Sequence, residues 1–350
     1  MDTEWIYFDA VTGYDKGELN HAAQILQQGG LVAFPTETVY GLGGDGFNPQ
    51  AAKKIYEAKG RPSDNPLILH ISKREELDAI AARIPETAEK LMDAFWPGPM
   101  TLIFEKTKAV PYETTGGLDT VAVRMPSHEG ARQLIESAGV PVAAPSANTS
   151  GRPSPTTAEH VKEDLWGRID MIIDGGLVGI GVESTIIDVT EETPTILRPG
   201  HITKNMIAKV IGTVQMDAGL SGLDQSVKPK APGMKYRHYA PKASMTVIQG
   251  KKEAVIRRIE ELAAEYPKEK VGILAADETL SCYTHGQVVS AGSRNEHTIE
   301  QGLYRALREF DHMGVSVIFS ESFADDDRSE AIMNRLLKAA GQKIEYLSDK

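Results

Sequence analysis

Over the first two hundred residues, segments with apolar residues at helix spacing alternate with short apolar runs that are typical of strands. Residues 17–30 are apolar at Leu19, Ala22, Ala23, Ile25 and Leu26 and end in two glycines, which predicts an amphipathic helix with a glycine stop. Asn48 and Pro49 suit the cap and first turn of a second helix ending at Lys59. Further helices are predicted near 86–95, 128–138, 156–165 and 203–210. Short apolar runs predict strands at 31–34, 67–71, 100–105, 120–124, 142–144, 171–173, 184–189 and 195–198.

Several of these strands follow one another without a helix between them. This order favours a mixed α/β sheet over a regular doubly wound one. Ser72 and Glu75 have the spacing of a capping box for the helix that follows them. The N-terminal 211 residues are therefore predicted to form one α/β domain.

Residues 212–241 interrupt this pattern with repeated glycines and prolines, which predicts a linker. After it the alternation resumes over 242–350. Strands are predicted at 244–248, 271–275, 286–290 and 315–319, and helices at 251–266, 297–312 and 328–340. This order predicts a smaller Rossmann-like α/β domain.

Composition indicates an ordinary globular protein. With 350 residues, two domains are expected, and no apolar run approaches the length of about 18 residues that a membrane span requires. The N-terminus has neither a basic leader nor an apolar core, so we expect a cytoplasmic protein. Cys282 is the only cysteine, which excludes an internal disulfide and a cysteine-based zinc cluster.

The charge distribution argues against a protein that mainly coats nucleic acid. The net charge is −11, and residues 1–210 have 19 basic and 29 acidic side chains, a balance of −10. The segment 211–240 has four basic and two acidic side chains, a balance of +2. The predicted linker is thus the basic part of the chain.

The glycine run Gly41–Gly46 matches the dinucleotide-binding pattern G-x-G-x-x-G. That pattern requires the first glycine directly after a strand and a helix that begins within the glycines, and neither condition holds here. We therefore predict a flexible loop that lets the backbone approach a ligand, with a nicotinamide enzyme as the weaker alternative. Thr36 and Thr38 just before the run suit either ligand contact at a strand end or a simple extended segment.

Two loops, Lys59–Leu67 and Ala144–Pro155, together have the residue types of an anion site. The first contributes the cations Lys59 and Arg61, and the second contributes small hydroxyl and amide side chains. A basic helix end and ordinary turn chemistry are the alternatives. Arg124 and Arg198 each end a predicted strand, where they are either surface residues or clamps for a carboxylate or phosphate, and the repetition favours clamps.

No metal cage or covalent nucleophile is indicated. The spacing of Asp64, Asp174 and Glu183 does not resemble a carboxylate cage, so we expect no protein metal site and Mg²⁺ that arrives with a nucleotide. No Gly-x-Ser-x-Gly elbow or redox cofactor motif is indicated either. The acidic run Asp325–Asp327 is predicted to cap the last helix.

Five motifs in order give the chain a specific resemblance. The segments PTETVYGLG, KGRPSDNPL, APSANTSG, ESTIID and RPG are similar to those of the Sua5/YrdC/YwlC family of threonylcarbamoyl-AMP synthases. The resemblance implies a YrdC-like mixed twisted sheet with flanking helices over 1–211, a linker and active-site lid over 212–241, and a smaller Rossmann-like Sua5 domain over 242–350. It also implies synthesis of L-threonylcarbamoyladenylate and pyrophosphate from L-threonine, bicarbonate or CO2, and ATP.

The resemblance carries residue roles with it. Lys59, Arg61, Ser146 and Asn148 match the family's KxR and SxN signatures and are expected to be catalytic. Threonine is expected to bind at Thr38, His70, Arg124, the Ala144 backbone and Ser184. ATP is expected to bind at Arg61, Asn65, Thr120, Ser146, Ser154 and Arg198, with Arg237 and Tyr236 from the linker.

The implied product serves the t6A37 modification of tRNAs that read ANN codons, through a separate tRNA threonylcarbamoyl transferase machinery. A YrdC-like domain could also contact RNA directly, and the balance of −10 over residues 1–210 weakens that alternative. No membrane partner is expected.

Overall fold

The computed structural model of the protein describes residues 2–221, 230–232, 238–324 and 329–348. The chain divides into two compact units, and neither is continuous in sequence. The first contains Met1–Ser150 and Ser154–Tyr236, and the second contains Gly151–Pro153 and Arg237–Lys350. Within the described ranges, no helix is long and apolar enough to cross a membrane.

A mixed sheet forms the framework of the first unit. Its strand order is β1-β8-β2-β3-β7-β4-β6-β5-β9-β10-β11. The strands are β1 Glu4–Tyr7, β2 Val32–Phe34, β3 Gly41–Asp45, β4 Ile68–His70, β5 Met100–Glu105, β6 Thr120–Arg124, β7 Val142–Ala143, β8 Met171–Asp174, β9 Thr185–Asp188, β10 Thr195–Arg198 and β11 Gln215–Met216. The helices are α1 Lys16–Gln27, α2 Pro49–Lys59, α3 Leu77–Ile80, α4 Glu86–Phe95, α5 Glu129–Ala138, α6 Ala158–Leu165 and α7 Lys204–Ile211.

Helix α2 begins and ends where its sequence signals predict. The Asn48 side chain accepts a hydrogen bond from the Gln50 amide at 2.9 Å, and Pro49 occupies the first turn. Gly60 ends the helix in the left-handed conformation, with φ of 61°. The mixed α/β class of this unit is also confirmed, with both parallel and antiparallel pairs in one sheet.

The prediction of a flexible glycine loop is wrong, because Gly41–Asp45 forms strand β3. It pairs antiparallel with β2 on one side and β7 on the other. A Cβ at Gly43 would lie 2.8 Å from side-chain atoms of both Phe34 and Val142. The glycines therefore allow neighbouring side chains to pack over a buried strand, and they form no phosphate-binding turn.

We expect Gly43→Ala to lower the free energy of unfolding by about 1–3 kcal/mol, because the added methyl group overpacks this core. Urea denaturation would measure the loss. Gly179→Ala is the matched control, since the nearest atom to a Cβ there is 3.9 Å away. Equal stability of the two variants would contradict the packing role of Gly43.

Two local predictions also need correction. The Ser72 hydroxyl donates to the Glu76 carboxylate at 2.5 Å, so the partner is one residue later than the predicted Glu75. The segment that follows starts as the 3-10 helix Arg74–Glu76, whose tighter turn changes which residue faces Ser72.

Strand β1 was not predicted, since only one of its four residues is buried, and it pairs in parallel with β8.

The second unit has a parallel five-stranded sheet in the order β14-β13-β15-β12-β16, which confirms the Rossmann-like prediction. Its strands are β12 Ser244–Gln249, β13 Val271–Ala275, β14 Gln287–Ser290, β15 Val317–Glu321 and β16 Ile344–Tyr346. Its helices are α8 Lys252–Ala263, α9 Ile299–Met313 and α10 Ser329–Ala339. Strand β16 was not predicted, and the predicted cap Asp325–Asp327 lies outside the described residues.

Candidate functional site

Strands β4 and β6 are parallel neighbours that carry polar groups at both ends. Their register pairs Ile68 with Ala122 and His70 with Arg124. Alternate side chains of a strand share a face, so Thr120 and Arg124 lie on one face of β6, about 13 Å apart along the strand. The predicted ATP residue Thr120 is thus at the amino end of this face, and the predicted threonine residues His70 and Arg124 are at the carboxyl end.

Arg124 is the central cation of the carboxyl end. Its guanidinium is buried, lies 2.7 Å from a carboxylate oxygen of Glu37, and donates to the Thr38 hydroxyl at 2.9 Å. Burial acts to raise the pKa of Glu37, but the Arg124 charge and the hydrogen bonds from Arg124 and from the Glu37 and Ser127 amides together outweigh it, and the pKa lies below its ordinary value. This end of the site is therefore a buried ion pair next to a hydroxyl.

Sequence analysis missed Glu37, although it stands between Thr36 and Thr38 in a motif that was singled out. The sequence feature that could have identified Glu37 was Arg124. A cation that ends a buried strand needs an anionic neighbour, and Glu37 is the carboxylate of that motif.

His70 is a neutral imidazole in this environment. Burial, with the nearby Arg124 charge, lowers the pKa of His70 to about 3. Its Nδ1 lies 3.2 Å from the Ile68 carbonyl oxygen, so Nδ1 carries the proton and donates. The ring packs edge-on against Phe34. His70 can thus offer Nε2 as an acceptor without adding charge.

The low pKa of His70 predicts a pH-dependent stability. The folded-state pKa of about 3 is below the ordinary 6.5, so the stabilising effect is complete above pH 6.5 and is lost as the pH falls towards 3. The loss is about 1.4 kcal/mol per pH unit, or about 2 kcal/mol between pH 7 and pH 5. Urea denaturation at both pH values should show this difference between the wild-type protein and His70→Gln. The same pH change in both proteins would contradict it.

Arg198 and Ser184 bind one another directly, close to Thr101, which pairs with Arg124 across β5 and β6. Arg198 donates from Nε to the Ser184 carbonyl oxygen at 3.0 Å and from Nη2 to its hydroxyl at 3.1 Å. The same hydroxyl lies 2.7 Å from the hydroxyl of Thr101, a residue that sequence analysis missed. The resemblance assigns Arg198 to ATP and Ser184 to threonine, and the structure shows that the two form one buried cluster.

At the amino end, Arg61 folds back over its own loop. It donates from Nε to the Asn65 carbonyl oxygen at 3.3 Å and from Nη2 to that of Pro66 at 3.0 Å. Ile68 pairs with Ala122 in the register of β4 and β6. Pro66 and Thr120 each stand two residues before this pair, so this loop and Thr120 lie at the same edge of the sheet. The loop that carries Arg61 and Asn65 therefore lies at the sheet edge where β6 begins with Thr120.

Lys59 joins the two predicted loops through their backbone. Its buried ammonium donates to the carbonyl oxygens of Ser146 and Asn148, and its own carbonyl oxygen accepts from the Ser150 amide at 2.8 Å. The Ser146 hydroxyl donates to the Asn148 side-chain oxygen at 2.5 Å. In this structure Lys59 fixes the shape of the loop, and direct binding of a ligand by Lys59 stays a prediction.

The remaining predicted residues are placed as follows. The Ala144 amide donates to the Ile68 carbonyl oxygen at 2.9 Å, which ties the loop to β4. Ser154 is fully buried, and its hydroxyl donates to the carboxylate of Glu183 at 2.5 Å. Tyr236 and Arg237 lie outside the described residues.

One described linker residue covers the face between the two ends. Ala231 is fully buried in a cluster with residues of five neighbouring strand positions, namely Ile68, Ile103, Ala122, Ile186 and Leu197. The adjacent Lys230 lies 3.4 Å from the carboxylate of Asp188, which ends β9. The linker therefore reaches the site within the first unit. In the described part of the chain, no group of three or more His, Cys, Asp or Glu side chains could hold a metal ion.

Comparison with known proteins agrees with the motifs. A family model described as "Telomere recombination" (Sua5_yciO_yrdC) matches residues 24–200, and one described as "Threonylcarbamoyl-AMP synthase, C-terminal domain" matches residues 202–341. The threonylcarbamoyl-AMP synthase of Pyrococcus abyssi is 50% identical over 94% of this chain and 96% of the relative. That of Bacillus subtilis is 51% identical over 93% of this chain and 94% of the relative.

A solved structure has the same fold along its whole length. The crystal structure of Pyrococcus abyssi Sua5 complexed with L-threonine matches with a TM-score of 0.93 and 48% identity, over 99% of this chain and 100% of that one. The resemblance drawn from the motifs is thus confirmed. This chain belongs to the Sua5/YrdC/YwlC family of threonylcarbamoyl-AMP synthases in its two-domain form, and it is an enzyme of the nucleotidyltransferase type.

Proposed function

We propose that this enzyme converts L-threonine, bicarbonate or CO2, and ATP into L-threonylcarbamoyladenylate, pyrophosphate and water. The family and the L-threonine complex of the Pyrococcus abyssi relative support this reaction. In this proposal the product then supplies a separate transferase that modifies adenosine 37 of tRNA.

The chemistry requires two bond-forming steps, first N–C and then O–P, and no enzyme nucleophile. Bicarbonate takes up a proton and loses water to give CO2, and the threonine amine then adds to CO2, loses a proton and becomes a carbamate. A carbamate oxygen then attacks the α-phosphorus of ATP, and the bond from that phosphorus to the bridging oxygen of pyrophosphate breaks. The protein must bring two anions together and stabilise the charge that develops, which fixed cations and hydrogen-bond donors can do.

The arrangement of β4 and β6 is the observation that carries the proposal. The carboxyl ends of the two strands have the cation Arg124 with Thr38 and a neutral His70, and their amino ends have Thr120 and the loop that carries Arg61. An amino acid carboxylate suits the first group, and a phosphate suits the second. The two groups lie about 13 Å apart along the strand, and Ala231 of the linker packs on the apolar residues between them.

Lys230 and Ala231 support a lid of linker residues over this face. Their contacts with Asp188 and with the apolar patch of the sheet place them across the middle of the strands. A covered site would exclude water from the carbamate and from the mixed anhydride. We propose that Mg²⁺ enters with the triphosphate, because Mg²⁺ in nucleotide-dependent enzymes is bound largely through substrate phosphates.

Pyrophosphate release tests the function directly. The purified full chain is incubated with ATP, Mg²⁺ and bicarbonate, with threonine present or omitted. We expect release that requires threonine and bicarbonate together, and formation of one adenylate per pyrophosphate by mass spectrometry. Release that is independent of threonine would contradict the proposed reaction.

A further inference from the structure

The second unit has a cavity at the edge of its sheet where the strands end. The cavity has a volume of about 570 Å³, and each of the five strands contributes to its lining, either with its last residue or with the segment that follows. All lining residues lie between Gln249 and Leu347, within the second unit. Pockets for small molecules typically have volumes of about 300–1,000 Å³. The cavity is therefore large enough for a small-molecule ligand.

The cavity lies where two neighbouring strands send the chain to opposite faces of the sheet. Strands β12 and β15 are adjacent and parallel. Helix α8 follows β12 and packs in one apolar cluster with Ile273. Helix α10 follows β15 and contacts α9, whose Phe310 covers the adjacent residue Gly272 on the opposite face. Open parallel α/β sheets bind their ligands at the carboxyl ends of strands at such a point.

Two carboxylates of the lining are already bound by the protein. The buried Glu321 accepts from the Tyr283 hydroxyl at 2.8 Å and from Nη2 of Arg294 at 2.9 Å. Glu278 accepts from the Ser293 hydroxyl at 2.7 Å. These hydrogen bonds hold both acids and the Arg294 guanidinium in the wall of the cavity.

The lining also has exposed cations and an exposed aromatic ring. Lys251 and Lys252 join the end of β12 to the first turn of α8, and both are exposed. Tyr346, the last residue of β16, is 69% exposed. Val255 and Leu347 add apolar surface to the same lining. The cavity thus combines ammonium groups with an aromatic and apolar surface.

These groups match the two parts of a nucleoside phosphate. Ammonium groups bind phosphate oxygens through charge-assisted hydrogen bonds, and an exposed aromatic ring can stack on a base. A free amino acid would instead need a carboxylate for its ammonium group, and Glu278 and Glu321 already accept hydrogen bonds from the protein.

We propose that this cavity binds a mononucleotide, with its phosphate at Lys251 and Lys252 and its base on Tyr346. The site shares no residue with the ATP site assigned above. The inference therefore does not depend on the proposed reaction, and it gives the second unit a ligand of its own.

Hydrogen exchange of the full chain with AMP tests the proposal by location. AMP should slow exchange in the peptides 321–324 and 344–348, at the ends of β15 and β16. In Lys251→Met/Lys252→Met, half-maximal protection should require about tenfold more AMP or greater, because two charge-assisted contacts are lost. In Tyr346→Leu it should require about fivefold more, because the stacking ring is lost. All three positions are exposed, so both variants should fold.

Lys268→Met/Lys270→Met is the matched control. These two lysines are also exposed, and they stand directly before β13, at the opposite edge of the same sheet. This variant should require the same AMP concentration as the wild type. Adenosine and inorganic phosphate, added separately, should each protect less than AMP at equal concentration, because each has only one of the two parts.

Absence of AMP-dependent protection in the peptides 321–324 and 344–348 would overturn the proposal. Equal AMP requirements of the wild type and Lys251→Met/Lys252→Met would also overturn it. Protection by inorganic phosphate equal to that by AMP would do the same, since the base would then contribute nothing. Pyrophosphate release enters none of these outcomes, so failure of the proposed function would leave the test unaffected.

Discussion

Replacing Arg124 with methionine should lower the free energy of unfolding by about 3–5 kcal/mol, because Glu37 would keep a buried charge without its cation. The double variant Arg124→Met/Glu37→Gln should regain most of this stability, since it removes both charges. Both variants should bind threonine at least about tenfold more weakly, because a charge-assisted hydrogen bond is worth about 1.5–3 kcal/mol. Urea denaturation measures the first effect, and calorimetric titration with threonine measures the second.

Arg74→Met is the matched control for this pair of variants. Arg74 lies 2.6 Å from Asp93, but the two side chains are 37% and 71% exposed, so its loss should change stability by less than about 1 kcal/mol. If the double variant bound threonine as tightly as the wild type, Arg124 would have only a structural role. If it stayed as unstable as the single variant, the destabilisation would not come from the unpaired charge.

Lys59→Met should reduce kcat/KM about 100-fold. The variant keeps the length and apolar character of the side chain but loses the ammonium that joins the carbonyl oxygens of Ser146 and Asn148. The loop would then be free to shift, and a displacement of about 1 Å in a positioned group can reduce the rate about 100-fold. Pyrophosphate release at varied ATP measures the effect.

Lys54→Met separates loop geometry from a general effect on helix α2. Lys54 is on the same helix, and it also donates to a backbone carbonyl oxygen, that of Gly29, at 2.6 Å. We expect this variant to keep wild-type kcat/KM. A similar loss in both variants would indicate that the helix, and not the loop, had been damaged.

The fold was predictable from sequence wherever a local signal determined the element. Helix α2 has a cap residue, a proline and a terminal glycine, and β5, β6 and β10 have apolar runs between turns. The signal failed for β3, because a run of glycines resembles a loop when its neighbours are unknown. Only the close packing of Phe34 and Val142 makes glycine the suitable residue there.

The sequence identified candidate site residues but not the contacts among them. The motifs identified Arg124, Ser184 and Arg198, but not that Ser184 and Arg198 bind one another or that Arg124 binds Glu37. Such pairs depend on strand register and side-chain direction, which tertiary structure determines. For the same reason, the sequence did not indicate that the Lys59 ammonium binds backbone carbonyl oxygens of the second loop, and its predicted catalytic role stays a prediction.

The insertion of Gly151–Pro153 into the second unit has a consequence for folding. The hydrogen bond between Arg308 and Pro153 joins residues 155 positions apart, whereas the strands of that unit are close in sequence. Contacts between residues so far apart in sequence form late, because closing the long loop between them costs entropy before the contact contributes stability. During synthesis, Gly151–Pro153 leave the ribosome long before the strands of the second unit do. They can therefore pack into this unit only after its own strands have been made. A fragment that begins at the linker would lack these three residues, so this unit can be completed only in the intact chain.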